Sequence, residues 1–475
     1  MGIGSRLSKE GGKVAPRKHS PIKHGRKPLK PIAPEPDLTA NCGGIKSPNP
    51  FWLASAPPTN SGPQIMRAFD YGWGGAVWKT LGEDPAVINV TSRYGAIDLG
   101  GQKIAGFNNV ELITDRPLAD NLKEMYEVKK RYPKHAVIAS LMVPCERKNW
   151  HDIVKRTEDT GCDGLELNFG CPHGMSERGM GSAVGQVPEY IKMVSEFVKE
   201  VARTPVLVKL TPNITDIRYG ARAAKAGGAD GVSLINTINS VMGVDLDTMV
   251  PKFAIDGYGA HGGYCGPAVK PIALNMVSQI ATDPETRGLP ISGIGGVSDW
   301  RDAVEFMLLG SSNVQVCTAV MHYGFRIVED MRSGLINWMR SQNFTKLDDF
   351  VGKTAPRIVE WKKLNLHHKT IAKIDASKCI ECDLCHVACQ DTAHQCIVRP
   401  MDMGGKGRLP TVIEEDCVGC NLCSLVCPVE SCITMEAVPT GHAPFTWEQY
   451  TKNGFKGYKE VYKRYHEPQK TGKKS

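Results

Sequence analysis

Residues 187–236 read VPEYIKMVSEFVKEVARTPVLVKLTPNITDIRYGARAAKAGGADGVSLIN, and this stretch decides the fold. Its first part, 187–203, spaces apolar residues at helical intervals. PVLVKLT (205–211) follows as a short apolar run with a polar end, then a second helical run at 217–226, then DGVSLIN (230–236). Short apolar runs that alternate with helices are strands buried on both faces of a parallel sheet. Six further runs of this kind lie outside the stretch: FWLASA (51–56), WGGAVWKT (73–80), AVIASLMV (136–143), DGLELNF (163–169), PISGIG (290–295) and NVQVCTA (313–319). Eight strand–helix units predict a (β/α)8 TIM barrel over 41–344 rather than a doubly wound sheet. The wider gaps after the second and sixth runs leave room for insertions at the active face.

The chain has 475 residues, 41% of them hydrophobic and 23% charged, a composition that supports a real core. It holds no apolar run long enough to span a membrane and no apolar segment near Met1, so a cytoplasmic protein is expected. The net charge of +8 is uneven. Residues 1–30 carry nine Lys or Arg against one acid and residues 451–475 carry eight against two, which leaves the stretch between them acidic. The basicity therefore belongs to an N-terminal arm (1–40) and a C-terminal tail (441–475). It reads as solvated segments reaching towards a neighbour in an oligomer rather than as a nucleic-acid face. Residues 345–370 are polar and basic and read as a linker.

Ten of the sixteen cysteines fall between 379 and 432. Cys379, Cys382, Cys385 and Cys389 form C-x2-C-x2-C-x3-C, and Cys417, Cys420, Cys423 and Cys427 repeat it, with Pro428 next. In this pattern the fourth Cys of each run ligates the other cluster. The expected unit over 371–440 thus binds two [4Fe-4S] cubanes, on Cys379/Cys382/Cys385/Cys427 and on Cys417/Cys420/Cys423/Cys389. Structural zinc uses pairs of C-x2-C instead. Gln390 stands where the second run has Pro428, and Cys396 and Cys432 fall outside the spacing as small buried residues. Two neighbouring cubanes conduct single electrons, so a redox centre is expected at each end.

Chemistry in such a barrel sits at the C-terminal strand ends. The polar residues there are Ser55, Lys79, Thr80, Asn168, Lys209, Asn236 and Thr237, with Cys171 just beyond the fourth strand in LNFGCPHG (167–174). Lysine at the end of an apolar strand either meets an anionic ligand or snorkels to solvent. The seventh strand ends in GIGG (293–296), and the loops after strands seven and eight commonly cradle phosphate. Flavin mononucleotide fits both features. The lone G-x-G-x-x-G, Gly257 to Gly262, follows no strand and reads as a chance match, so NAD(P)H is expected to be received by another polypeptide. Cys171 itself is either a buried structural thiol or a proton donor.

LELNFGCPHGMSERGMGSAVGQ (165–186), NPFWLASA (49–56), VWKT (77–80), GFNNVEL (106–112), KLTPN (209–213), INT (235–237) and the paired cysteine runs together resemble the dihydropyrimidine dehydrogenase family in its short form. The resemblance covers roughly 42–440, and the barrel alone also resembles dihydroorotate dehydrogenase. It implies that Ser55, Lys79, Thr80 and Lys209 hold FMN, together with Gly266, Gly295, Gly296, Cys317 and Thr318. It further implies that Asn109, Asn168, Asn236 and Thr237 bind the pyrimidine, with Glu111 and Gly170 at the site. Cys171 is then the general acid, and Lys209 is expected to assist catalysis. The chain departs from the family pattern at Gly170, where a serine hydroxyl contact to substrate is lost.

The implied reaction is the reversible reduction of the C5=C6 bond of uracil or thymine. Hydride from flavin N5 goes to C6 and a proton from Cys171 goes to C5. Electrons arrive through the two clusters from an FAD- and NAD(P)H-binding partner subunit. An ordinary thiol is mostly protonated at neutral pH, as a proton donor must be. The glycine-rich loop 174–185 is expected to close as a lid. The competing readings are a dihydroorotate dehydrogenase-like enzyme and a non-catalytic electron-transfer adaptor.

Overall fold

The computed structural model describes residues 34–82, 92–100, 104–172, 176–392, 394–440 and 452. Most of the expected basic arm and nearly all of the C-terminal tail lie outside the described residues. Two compact units divide between Ile358 and Val359.

The first unit is a closed barrel of eight parallel strands. They are β1 (Phe51–Leu53), β2 (Gly75–Leu81), β3 (Ala136–Leu141), β4 (Gly164–Asn168), β5 (Val206–Lys209), β6 (Gly231–Leu234), β7 (Ile291–Ile294) and β8 (Ser311–Val316). Each pairs with the next, and β8 closes onto β1. Each coincides with one of the apolar runs. β2, β3 and β4 are buried along their whole length, because helices cover one side and the barrel interior the other. The covering helices include α1 (Gly62–Tyr71), α2 (Leu118–Arg131), α3 (Arg147–Glu158), α4 (Pro188–Lys199), α5 (Ile217–Ala226), α6 (Lys270–Thr282), α7 (Trp300–Leu308) and α8 (Ile327–Ser341). Local sequence sets their starts. Pro188 occupies the first turn of α4, while Asp216 and Asp299 cap α5 and α7 by accepting from the N–H groups of Arg218 and of Arg301 and Asp302.

A hairpin of Ala40–Cys42 and Ile45–Ser47 closes the N-terminal end of the barrel. Its turn, Gly43-Gly44, has φ of 61° and 98°, and a side chain on Gly43 would meet the Asp230 carbonyl at 2.7 Å. The turn puts Cys42 and Ile45 into one apolar cluster with Trp52, Val77, Ile138 and Leu207. Each large side chain fully buried there contributes about 1.5–3 kcal/mol relative to exposure.

The two wide gaps turn out to be partners. Tyr94–Asp98 and Ile104–Asn109, inserted after β2, join Ile238–Ser240 and Gly262–Cys265, inserted after β6, in one antiparallel sheet. The chance G-x-G-x-x-G lies in the loop that leads into Gly262–Cys265, outside any strand–turn–helix. The stretch expected as a linker divides. Phe350 is buried against Trp338 and Phe344, and Gly352 and Thr354 donate to Met307 and Leu308 carbonyls, so residues up to Ile358 fold with the barrel. Among the described residues no helix is long and apolar enough to cross a membrane.

The second unit is held at its ends by β9 (His368–Ile374) paired antiparallel with β10 (Ile433–Pro439) over seven residues. Each cysteine run follows one pattern: a tight loop, then a short helix, Leu384–Gln390 in the first and Leu422–Leu425 in the second. Cysteines make up most of its buried core, alongside Ile371, Ala372, Ile397 and Ile433. So small a unit buries little aliphatic surface, and covalent metal ligation is the usual remedy.

Candidate active site

A pocket of about 1150 Å³, including its mouth, opens at the C-terminal ends of the strands. The flavin-binding candidates line it together: Ser55, Lys79, Thr80 and Lys209 on the barrel side, and Gly266, Gly295, Gly296, Cys317 and Thr318 on the β6–β8 side. So do Asn109, Glu111, Asn168, Cys171, Asn236 and Thr237. These fifteen residues come from all parts of the barrel sequence, and closure of the sheet is what gathers them.

Gly170 is the exception. It is absent from the pocket wall, and a Cβ there would lie 2.4 Å from Asn236 Cβ. The backbone of the Cys171 loop therefore packs directly on Asn236, which makes Gly170 a close-approach position.

The lysines do not snorkel to solvent. Lys79 and Lys209 are both buried, and each meets a carboxylate of the chain. Lys79 Nζ lies 2.6 Å from Glu111 Oε1, and Lys209 Nζ lies 3.5 Å from Glu166 Oε1. Arg93 and the Tyr94 hydroxyl also donate to Glu111, at 3.0 and 2.5 Å. Burial, followed by the Glu111 hydrogen bond, raises the Tyr94 pKa above its ordinary value, which keeps the phenol protonated as a donor. Glu166 is fully buried inside the barrel, where its Oε2 accepts from Ser233 Oγ at 2.8 Å and Gln315 Nε2 at 3.0 Å. Gln315 reaches the pocket wall, and Glu166 behind it pairs with Lys209.

A chain of short side chains continues across the floor. Asn236 Nδ2 donates to Asn168 Oδ1 at 3.0 Å, Asn168 Nδ2 donates to Thr80 Oγ1 at 2.9 Å, and Thr80 Oγ1 meets Ser55 Oγ at 3.1 Å and Ser140 Oγ at 2.9 Å. Asn109 Nδ2 donates to the Gly263 carbonyl at 2.8 Å, which ties the first insertion to the second. Asn109 Oδ1 accepts from the Glu111 N–H at 3.3 Å, Asn168 Oδ1 from the Gly170 N–H at 3.2 Å and Asn236 Oδ1 from the Thr237 N–H at 2.8 Å, so all three amides are held in fixed orientations at the pocket wall. Donor and acceptor on one side chain suit a ring whose edge alternates C=O and N–H.

Cys171 is buried, lines the pocket and packs with Ile113, Met142 and Met180. The Ser182 N–H holds its carbonyl at 3.0 Å. In the loop expected to act as a lid, Gly174 and Met175 lie outside the described residues. Its far end is closely packed, since a Cβ on Gly185 would sit 1.9 Å from the Phe169 carbonyl oxygen.

The residues fit a flavin. Gly295 (φ 127°) and Gly296 (φ 74°) take backbone conformations that only glycine adopts readily, at the loop where a phosphate would sit. Burial pushes the Cys317 thiol up to about 12 and raises that of Cys265, so both stay neutral beside an anionic group. The sequence reading missed Tyr94, Phe107, Cys265, Gln315 and the buried Glu166. Only Glu166 carried a signal: it is an acid between two leucines, two residues before Asn168 and on the same face of β4. The others depend on the pairing of the two insertions or on barrel closure.

The second unit fits iron–sulfur clusters. One cavity there is lined by Cys379, Cys382, Cys385 and Cys427, the four residues assigned to the first cubane, with Cys432 beside them. The other four also converge. Burial, then the neighbouring Cys420, Cys417 and Cys389, push the Cys423 thiol up to about 11. Hydrogen bonding from Cys396 lowers Cys389 to about 6, favouring the thiolate that ligates iron. The Ala372 N–H donates to Cys417 Sγ at 3.4 Å and the Glu381 N–H to Cys379 Sγ at 3.4 Å.

Comparison with known proteins agrees with both halves. Residues 37–339 match the dihydroorotate dehydrogenase family and 372–435 match the 4Fe-4S dicluster domain. The chain is 41% identical over 402 residues to the NAD-dependent dihydropyrimidine dehydrogenase subunit PreA of Escherichia coli K12, covering 85% of this chain and 96% of that one. It is 43% identical over 341 residues to the chloroplastic dihydropyrimidine dehydrogenase (NADP(+)) of Arabidopsis thaliana, covering 70% of this chain and 80% of that one. To the catalytic subunit of dihydroorotate dehydrogenase B (NAD(+)) of Pyrococcus horikoshii it is 34% identical over 314 residues, covering 65% of this chain and 95% of that one.

Proposed function

Because this chain belongs to the dihydroorotate dehydrogenase family and carries a 4Fe-4S dicluster domain after the barrel, we propose that it is the catalytic chain of a dihydropyrimidine dehydrogenase, an oxidoreductase that reversibly reduces the C5=C6 bond of uracil or thymine. The observation that carries this reading is the pocket itself, where Asn109, Asn168, Asn236 and Cys171 line one space from three separate segments. A bound flavin, FMN in this reading, supplies hydride to C6 of the pyrimidine. Ser55, Lys79, Thr80 and Lys209 would hold it, with Gly266, Gly295, Gly296, Cys317 and Thr318.

The chain's own residues do the rest. The three asparagines and Thr237 pair with the alternating edge of the dione and hold the ring in place. Cys171 keeps a proton at Sγ and gives it to C5, so one hydride and one proton saturate the double bond and solvent restores the thiol. Lys209 provides positive charge where negative charge develops on the ring. Ile113, Met142 and Met180 pack around Cys171 and exclude water from it. The eight cysteines of the second unit would hold two [4Fe-4S] clusters, which would pass single electrons from a partner subunit that binds FAD and NAD(P)H. Crowded, metal-ligating cysteines suit a reducing compartment such as the cytoplasm.

Reduction of uracil or thymine is favoured over orotate chemistry because the chain is 41% identical to the dihydropyrimidine dehydrogenase subunit over 85% of its length and 34% identical to the dihydroorotate dehydrogenase B subunit over 65%. The test is anaerobic purification followed by assays with dihydrouracil and dihydroorotate and an artificial electron acceptor. Turnover of dihydrouracil alone is expected. Turnover of dihydroorotate alone would transfer the chain to the other reaction, and a flavin-free barrel would leave it an adaptor.

A further inference from the structure

Beyond its eight ligand cysteines, each half of the second unit carries one more thiol. Cys396 lies seven residues after Cys389, and Cys432 lies five after Cys427. Both are buried. The catalytic reading uses neither, and the C-x2-C-x2-C-x3-C spacing has no place for either.

Their surroundings differ. Cys432 directs its thiol to the Asp375 carbonyl at 3.7 Å. Cys396 Sγ lies 3.6 Å from Cys389 Sγ, and the Cys396 backbone N–H donates to the same sulfur at 3.3 Å. Between two thiols either sulfur can donate. Once Cys389 ligates iron its sulfur carries no proton and can only accept, so the shared proton must belong to Cys396. One residue then directs two donors, backbone N–H and thiol S–H, at a single ligand sulfur. Hydrogen bonds to ligand sulfurs stabilise the more negative, reduced state of a cluster and raise its potential.

We propose that Cys396 is a redox-tuning residue: its thiol donates to Cys389 and makes the cluster held by Cys389, Cys417, Cys420 and Cys423 easier to reduce. The other half is built differently: Cys432 also neighbours a ligand, Cys427, but its backbone N–H goes to the Val429 carbonyl at 3.2 Å and its thiol contacts the Asp375 carbonyl, so only Cys396 brings two donors to one ligand sulfur. The two cubanes are thereby made inequivalent, although their ligand spacings are identical. Asymmetry of this kind decides on which cluster an electron rests between its arrival and its use.

The test is an EPR-monitored redox titration of the holo chain, comparing wild type, Cys396→Ala and Cys396→Ser, with iron and sulfide content determined on each. Alanine keeps the backbone N–H donor and removes the thiol. It is expected to lower one of the two midpoints, changing the oxidised-to-reduced ratio of that cluster at fixed potential by threefold to tenfold, where tenfold corresponds to about 59 mV for a one-electron couple. The other midpoint stays in place. Serine, whose O–H is the stronger donor, is expected to restore the wild-type value or exceed it. The proposal is overturned if both midpoints stay unchanged in the alanine variant, or if alanine and serine shift one midpoint equally, since volume rather than the donor would then be responsible. A wild type that lacks two clusters by iron content would overturn the dicluster reading as well, and so separates that failure from failure of the tuning role.

Discussion

A Cβ built on Gly170 lies 2.4 Å from Asn236 Cβ and 2.6 Å from Asn236 Nδ2. The first of these neighbours is the root of a side chain and not its flexible tip, so the backbone at 236 has to move before residue 170 can carry any side chain. Gly170→Ser is therefore expected to disturb the pocket, even though serine adds a polar group beside the substrate. Overpacking of this sort costs about 1–3 kcal/mol. Displacing Asn236 also breaks its 3.0 Å bond to Asn168, worth about 1 kcal/mol. If most of that cost falls on substrate positioning, kcat/KM for dihydrouracil drops about tenfold to a hundredfold, since each 1.4 kcal/mol is a factor of ten. Flavin and iron contents should match wild type, because Gly170 touches neither binding set. The assay is steady-state turnover with an artificial acceptor, paired with thermal unfolding and flavin quantitation. A Gly170→Ser protein with wild-type kcat/KM and unchanged melting temperature would refute the close-approach argument. It would show that loop 170–172 shifts freely away from Asn236.

Three further outcomes follow from the same structure. Cys171→Ala should keep flavin and both clusters yet lose pyrimidine turnover by about 10²–10⁴-fold, the usual worth of a positioned proton donor; near-normal turnover would remove Cys171 from that role. The purified chain should not oxidise NAD(P)H until a flavin- and nicotinamide-binding subunit is added, and pyrimidine reduction driven by NAD(P)H in the chain alone would contradict this. Arg222 of α5 grips Asp283 at the end of α6 with two bonds of 2.8 Å, and this pairing, first among the causes, holds the Asp283 carboxyl below its ordinary value. A depressed folded pKa contributes stability that is present above the unfolded value of about 3.9 and is lost as pH falls through the folded one. Asp283→Asn should thus unfold at lower urea than wild type near pH 7, followed by the fluorescence of the barrel tryptophans, and the gap should close below about pH 4.

Much of this was legible because its signals are local. The eight apolar runs are parallel strands covered on both sides, and burial on both faces leaves no polar alternation to confuse them. The cysteine runs are legible for a stricter reason: thiolates two and three residues apart on a tight loop can meet one cluster, so spacing alone selects the ligands. The polar residues at the strand ends were identifiable as candidates because this barrel presents its C-terminal ends to the site.

Other features needed distant segments to meet. No local pattern indicates that the insertions after β2 and β6 pair in one sheet, which brings Tyr94, Phe107 and Cys265 to the pocket. The carboxylate partners of Lys79 and Lys209 were hidden, because Glu111 and Glu166 are 32 and 43 positions away in sequence. Gly170 looked like a missing hydroxyl and is a contact surface for Asn236. Cys396 looked like filler and adjoins a cluster ligand. The sequence by itself determined the periodicity of the elements and the chemistry available at their ends, since both follow from neighbours along the chain. Charge pairing, close approach and the environment of each thiol were decided only when the barrel closed and the cysteine unit folded, because they depend on distances between atoms that the chain order leaves far apart.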